Sequence, residues 1–119
     1  MRPVEFVWQS REDLRAFPDD ARQNVGHALY LVQNDRTPTT VKPLHGFGTG
    51  VREIRARGEG GTYRAVFTVA LPSAIYVLHA FQKKSPRGAK MAHLDQELIR
   101  ARLAWALRLD AETGKGDEQ

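Results

Sequence analysis

Cysteine is absent from this sequence, and that gap excludes disulfide bridges, thiolate zinc sites and cysteine nucleophiles together. Long apolar runs are missing as well. No stretch approaches the ~20 apolar residues of a membrane-spanning helix, and the opening MRPVEFVWQS lacks the apolar core of a secretory leader. A cytoplasmic location with no membrane contact is therefore expected. The four histidines, at 27, 45, 79 and 93, fall in separate stretches without a carboxylate-rich ligand set, so neither a metal nor any other cofactor is expected. Negative charge is scarce in the middle of the chain. From Lys42 to Lys90 nine Lys or Arg stand against Glu53 and Glu59, a balance of +7 where the whole chain carries +4.

What is present in that basic region is a run of β-strand signals. Residues 51–57 (VREIRAR), 62–71 (TYRAVFTVAL) and 74–84 (AIYVLHAFQKK) read as three strands of a meander. The short connections GEGG and PS hold the Gly, Pro and Ser that punctuate strands. The excess cations therefore sit on a sheet and at its exits, which suits a polyanionic partner. With 119 residues, 41% of them hydrophobic and 27% charged, the chain is sized for one domain with a real core.

The flanking segments complete the order. Residues 3–8 (PVEFVW) read as a short strand with Val4, Phe6 and Trp8 on one face. Ser10 opens a weak capping box closed by Asp13, a short helix follows through Phe17, and Pro18 stops it. Asp19 or Asp20 caps a second helix that runs to about Gln33, with Ala21, Val25, Ala28, Leu29 and Val32 as its buried stripe. Residues 36–50 read as a loop. Its GFGTG follows a Pro-containing loop and precedes a strand, the wrong context for a nucleotide-phosphate cradle. After the exit SPRGA, a helix from about Ala92 to Leu109 places Leu94, Leu98, Ala101, Trp105 and Leu109 along one side, with Trp105 as a packing anchor. The polar residues 110–119 read as a frayed tail to a domain spanning 1–109. The pattern is β-α-α-β-β-β-α, an α+β domain with an antiparallel meander and its helices packed on one face. The place of the first strand in the sheet is left open.

Strand parity sorts the candidate site. Tyr63, Ala65, Phe67 and Val69 form one apolar set, and Ile54 belongs with Ala56. Arg64, Val66 and Thr68 then share the other face with Glu53, Arg55 and Arg57. In the third strand both alternating sets begin apolar and end in a lysine, Lys83 or Lys84, so its parity stays open. Guanidinium pairs bidentately with phosphate oxygens, and the same cations stabilise the added negative charge of a phosphorane. A 2′-hydroxyl attacking its own phosphate needs orientation, charge stabilisation and proton transfer, but no metal. Arg52, Arg57, Arg87 and Lys90 add phosphate contacts around that cluster. For proton transfer the candidates are Glu53, His79 and His93. A solvated basic face without chemistry explains the same charges, Glu53 also reads as a simple ion-pair partner, and His79 also reads as a hydrogen-bonded core histidine.

LRAFPDDARQNVGHALYLVQ, KPLHGFGTGVREIRARG, TYRAVFTV and YVLHAFQKKS together resemble the phage-derived, HigB-like branch of the RelE/ParE toxin superfamily. The resemblance runs over roughly residues 4–105 and implies a RelE-like toxin of a type II toxin–antitoxin pair. Such toxins are most often metal-independent mRNA endonucleases that act on the translating ribosome. It also implies a cognate antitoxin, commonly a helix-turn-helix protein, with ribosome and mRNA as the other partners. On this resemblance Arg55 matches a basic active-site position, Arg64 the arginine on the scissile phosphate, and Lys84, then Lys83, the basic residue ending the last strand. The sequence departs from the pattern twice. After that strand only His93 stands where a catalytic Tyr or His is common, and Glu53 stands where a catalytic lysine can occur. The rival readings are a binding-only or gyrase-directed homologue, and a phage interaction protein without catalysis.

Overall fold

The computed structural model describes residues 1–83 and 91–117. Strand β1 (Val4–Phe6) leads to helices α1 (Ser10–Arg15) and α2 (Asp19–Gln33), followed by strands β2 (Val41–Pro43), β3 (Val51–Gly58), β4 (Gly61–Thr68) and β5 (Ile75–Gln82) and by helix α3 (His93–Asp117). They form one five-stranded sheet in the order β1-β5-β4-β3-β2. The meander β3-β4-β5 is antiparallel, as its short turns dictate. Two features lie beyond the sequence reading. Strand β1 joins β5 in parallel, and β2, inside the expected loop, pairs antiparallel with β3. Three loop glycines, Gly46, Gly48 and Gly50, take positive φ on the way into β3. At Gly50 a Cβ would also stand 2.6 Å from that of Ala70, so this position requires glycine.

Helix α2 forms where its spacing predicts. Ala21, Val25, Ala28, Leu29 and Val32 are all buried and meet Val41, Ile54, Ala56, Tyr63, Ala65 and Phe67 from one face of the sheet. Each fully buried Val or Leu contributes roughly 1.5–3 kcal/mol. The helix ends where Asp35 turns to φ 60, with Arg36 N–H returning to the Leu31 carbonyl at 2.9 Å. At the start of α2 Asp20 Oδ1 accepts from the Ala21 N–H at 2.8 Å, whereas helix α1 has no side-chain cap. Ser10 instead donates from its hydroxyl to the Val77 carbonyl, tying α1 to β5.

The expectation that every helix lies on one face is corrected by α3. It covers the opposite face, where Val51, Val66, Tyr76 and Leu78 pack with Ile99 and Ala106. The reason is visible in β4 and β5, whose alternate residues are buried on both sides, so each face needs its own cover. The phase of α3 also differs from the expected one. Its sheet-facing stripe runs through Asp95, Ile99, Arg102, Ala106 and Asp110, while Leu94 and Trp105 are 69% and 43% exposed. Trp105 is not a core anchor. It lies against Trp8, ring centroids 6.4 Å apart. The helix continues through the expected frayed tail to Asp117. Asp110 serves the packing, accepting from Tyr76 Oη at 3.1 Å and the Ser73 N–H at 3.0 Å. Burial first, and that carboxylate second, push the Tyr76 hydroxyl up to about 12.

The ambiguous parity of β5 is resolved by a bulge. Val66 pairs with His79 but Phe67 pairs with Val77, which leaves Leu78 as an extra residue. Leu78 and His79 consequently both address α3, Ala80 returns to the α2 side, and Phe81 and Lys83 follow His79 by alternation.

Candidate functional site

The register stacks side chains in rows across the second face. One row holds Val51, Thr68 and Tyr76, and the next Lys42, Glu53, Val66 and His79. Beyond these come Arg55, Arg64 and Phe81. The last row holds Arg57 and Thr62, whose carbonyl accepts from the Lys83 N–H at 2.8 Å. Helix α3 packs over the first rows. Arg55, Arg57 and Lys42 are exposed, and Lys83 is half-buried. Apolar packing thus gives way to cations along one continuous surface.

Arg55 and Arg64 are direct cross-strand partners, an arrangement in which like charges repel. Glu53 relieves it. Its Oε1 accepts from Arg55 Nε at 2.9 Å and its Oε2 from Arg64 Nε at 2.7 Å, with Arg64 Nη2 bonded to the same oxygen. Glu53 is 2% exposed and Arg64 8%, whereas the Arg55 side chain is 51% exposed. Arg64 is therefore not the open, solvated cation that parity alone predicts. Its guanidinium also lies over the Phe81 ring, 5.6 Å from the centroid, and Phe81 stacks on His79 at 4.6 Å.

His79 is buried, with both ring nitrogens engaged. Nδ1 stands 3.3 Å from Arg102 Nη1, which can only donate, so Nδ1 accepts and Nε2 carries the proton shared with Asp95 Oδ1 at 2.8 Å. Arg102 Nη1 also donates to the Leu78 carbonyl at 2.9 Å and lies 3.6 Å from Asp13, and the guanidinium sits over Trp8 at 5.8 Å. This network fastens α3 to the bulge in β5 and to α1. Asp13 was read only as a capping carboxylate, and Arg102 and Asp95 escaped the sequence reading. Their signal was the i, i+3, i+4 spacing of Asp95 and Arg102 with Ile99 and Ala106, which an apolar-stripe search passes over.

The structure brings together Arg55, Arg64, Glu53, Arg57 and Lys83 of the predicted site residues. Arg52 falls on the other face, opposite Phe67 and beside Ile54 in parity. His93 is exposed and stands 2.9 Å from Glu97. Lys84, Arg87 and Lys90 lie outside the described residues. Among the described residues no group of His, Asp or Glu is placed to hold a metal ion, and no helix is long and apolar enough to cross a membrane.

This fold, a meander sheet with two helices on one face and a third on the other, matches the free-state structure of a two-site arginine-to-alanine mutant of the E. coli toxin RelE. The TM-score is 0.54 at 15% identity, covering 70% of this chain and 84% of that one. The class of fold is thus that of RelE. No curated protein matches the sequence. The chain belongs to the Gp49-like family of phage-derived proteins, whose model matches residues 12–104, in agreement with the RelE/ParE resemblance read from the sequence.

Proposed function

We propose that this protein is the toxin of a toxin–antitoxin pair and cleaves mRNA on the ribosome by metal-independent transesterification. The observation that carries the reading is the Arg55–Arg64 pair, opposed across two strands and fixed by one buried carboxylate. Two guanidinium groups held at fixed spacing suit a phosphodiester and the extra charge of its phosphorane better than mobile surface cations do. Lys83 and Arg57 extend the same surface for the flanking backbone. The 2′-hydroxyl gives up its proton to solvent as its oxygen forms the new P–O bond. The P–O5′ bond breaks, the 5′-oxygen leaves as a hydroxyl on taking a proton from solvent, and a 2′,3′-cyclic phosphate remains. His79 takes no proton in this scheme, since both of its nitrogens are engaged inside the fold. The face supplies charge stabilisation and orientation, and the cognate antitoxin is the partner that restrains it.

The test is cleavage of a defined message on programmed ribosomes, with transition metals chelated, by the purified protein. Expected are discrete cuts ending in 2′,3′-cyclic phosphate, lost when the cleaved nucleotide is 2′-deoxy. Cutting at the same position of the deoxy-substituted message contradicts transesterification. Growth arrest without any RNA cleavage returns the protein to the binding-only or gyrase-directed reading.

A further inference from the structure

A buried carboxylate is an unwelcome neighbour for a phosphate, yet Glu53 occupies the centre of the cationic face. Its position explains why. Both of its contacts on Arg64 lie on one edge of the guanidinium, Nε and Nη2. The aromatic face of Phe81 flanks the same group. Among the described residues no partner takes the opposite edge of the guanidinium, both protons of Nη1 and the second proton of Nη2. Meanwhile the other carboxylate oxygen holds Arg55 by Nε, leaving both of its terminal nitrogens for a ligand.

Resting on the function proposed above, we infer that Glu53 is a positioning residue: it clamps Arg64 and Arg55 by their inner edges so that their outer edges present a preset two-guanidinium cradle to the scissile phosphodiester. It is not the general base, because its carboxylate is buried and both oxygens are spent on the two arginines. The clamp sets two effects in opposition. Its negative charge weakens ground-state attraction for the anion, while its geometry serves the transition state.

Glu53→Gln separates these effects. Removing the charge strengthens binding of a 2′-O-methyl single-stranded RNA oligonucleotide, a probe that cannot be cleaved, by roughly three- to tenfold. Loosening the arginines lowers kcat on programmed ribosomes by about 10²-fold while KM falls or holds. Glu53→Asp, which keeps the charge but reaches less far, returns the oligonucleotide affinity to that of wild type and recovers only part of kcat. A general base predicts otherwise: loss of the acid limb of the pH–rate profile. A purely structural Glu53 lowers Tm and leaves kcat and KM per folded molecule alone. Either result overturns the proposal.

Hydrogen exchange at Arg64 Nε, followed by NMR on the wild-type protein, reads the clamp without reference to ribosomes and without a variant that must fold. Slow exchange supports it, and solvent-like exchange overturns it. If wild-type protein cuts nothing on ribosomes, the proposed function fails, while the oligonucleotide and exchange measurements still judge the clamp.

Discussion

On the face beneath α2, Ile54, Ala56, Ala65 and Phe67 meet Ala21, Val25 and Leu29 in apolar contact. On the face beneath α3, Ile99 and Ala106 share their stripe with Arg102 and Asp110. Every buried charged or imidazole side chain among the described residues, Glu53, Arg64, His79, Arg102 and Asp110, belongs to that second face. The first face is a core and nothing else. The second is a core that turns into a cationic surface, and it needs buried polar groups to hold the cations in place. Such groups add little net stability when paired and cost much when orphaned. The two faces should therefore respond differently to substitution.

The largest effect is expected from Val66→Asp. This side chain is fully buried in the row between Glu53 and His79. An added carboxylate there should cost more than ~4 kcal/mol and abolish folding, read as loss of the thermal unfolding transition. A well-folded Val66→Asp protein contradicts the covered second face. Next comes Arg64→Ala. Removal of an exposed charge costs under ~0.5 kcal/mol, but here it strips Glu53 of its buried partner, so roughly 2–3 kcal/mol is expected in denaturant unfolding, together with loss of cleavage. A smaller loss, about 1–2 kcal/mol, should follow His79→Gln, which weakens the tie between α3 and the bulge. The cleavage rate per folded molecule should hold. A 10²-fold fall in that rate at unchanged stability assigns His79 to proton transfer after all.

The asymmetry between the faces also marks what the sequence discloses. Ala21, Val25, Ala28, Leu29 and Val32 announce α2 and its burial because nothing polar interrupts the period. The meander follows from its punctuated strands, and the site rows follow from parity in β3 and β4. Three things stayed hidden for physical reasons. The stripe of α3 carries Asp95, Arg102 and Asp110 at sheet-facing positions, so periodicity selects Leu94 and Trp105, which are exposed. The bulge at Leu78 shifts parity in mid-strand, which no alternation rule detects. The burial of Arg64 was missed because parity assigns a face and is silent on what covers it. The face of Arg52 was legible, since the parity that groups Arg55 with Arg57 sends Arg52 to the opposite side, and only its charge grouped it with them.

That contrast between Arg52 and Arg55 gives the most direct measurement. The two lie three residues apart on β3, on opposite faces, and both retain some exposure. Arg52→Gln and Arg55→Gln remove the same charge. Each should be expressed from an inducible promoter, with growth and mRNA 5′ ends followed at matched protein levels. Arg55→Gln is expected to abolish growth arrest and new 5′ ends, while Arg52→Gln stays as toxic as wild type. If Arg55→Gln still cuts, or Arg52→Gln is the variant that fails, RNA chemistry does not reside on the α3 side of the sheet.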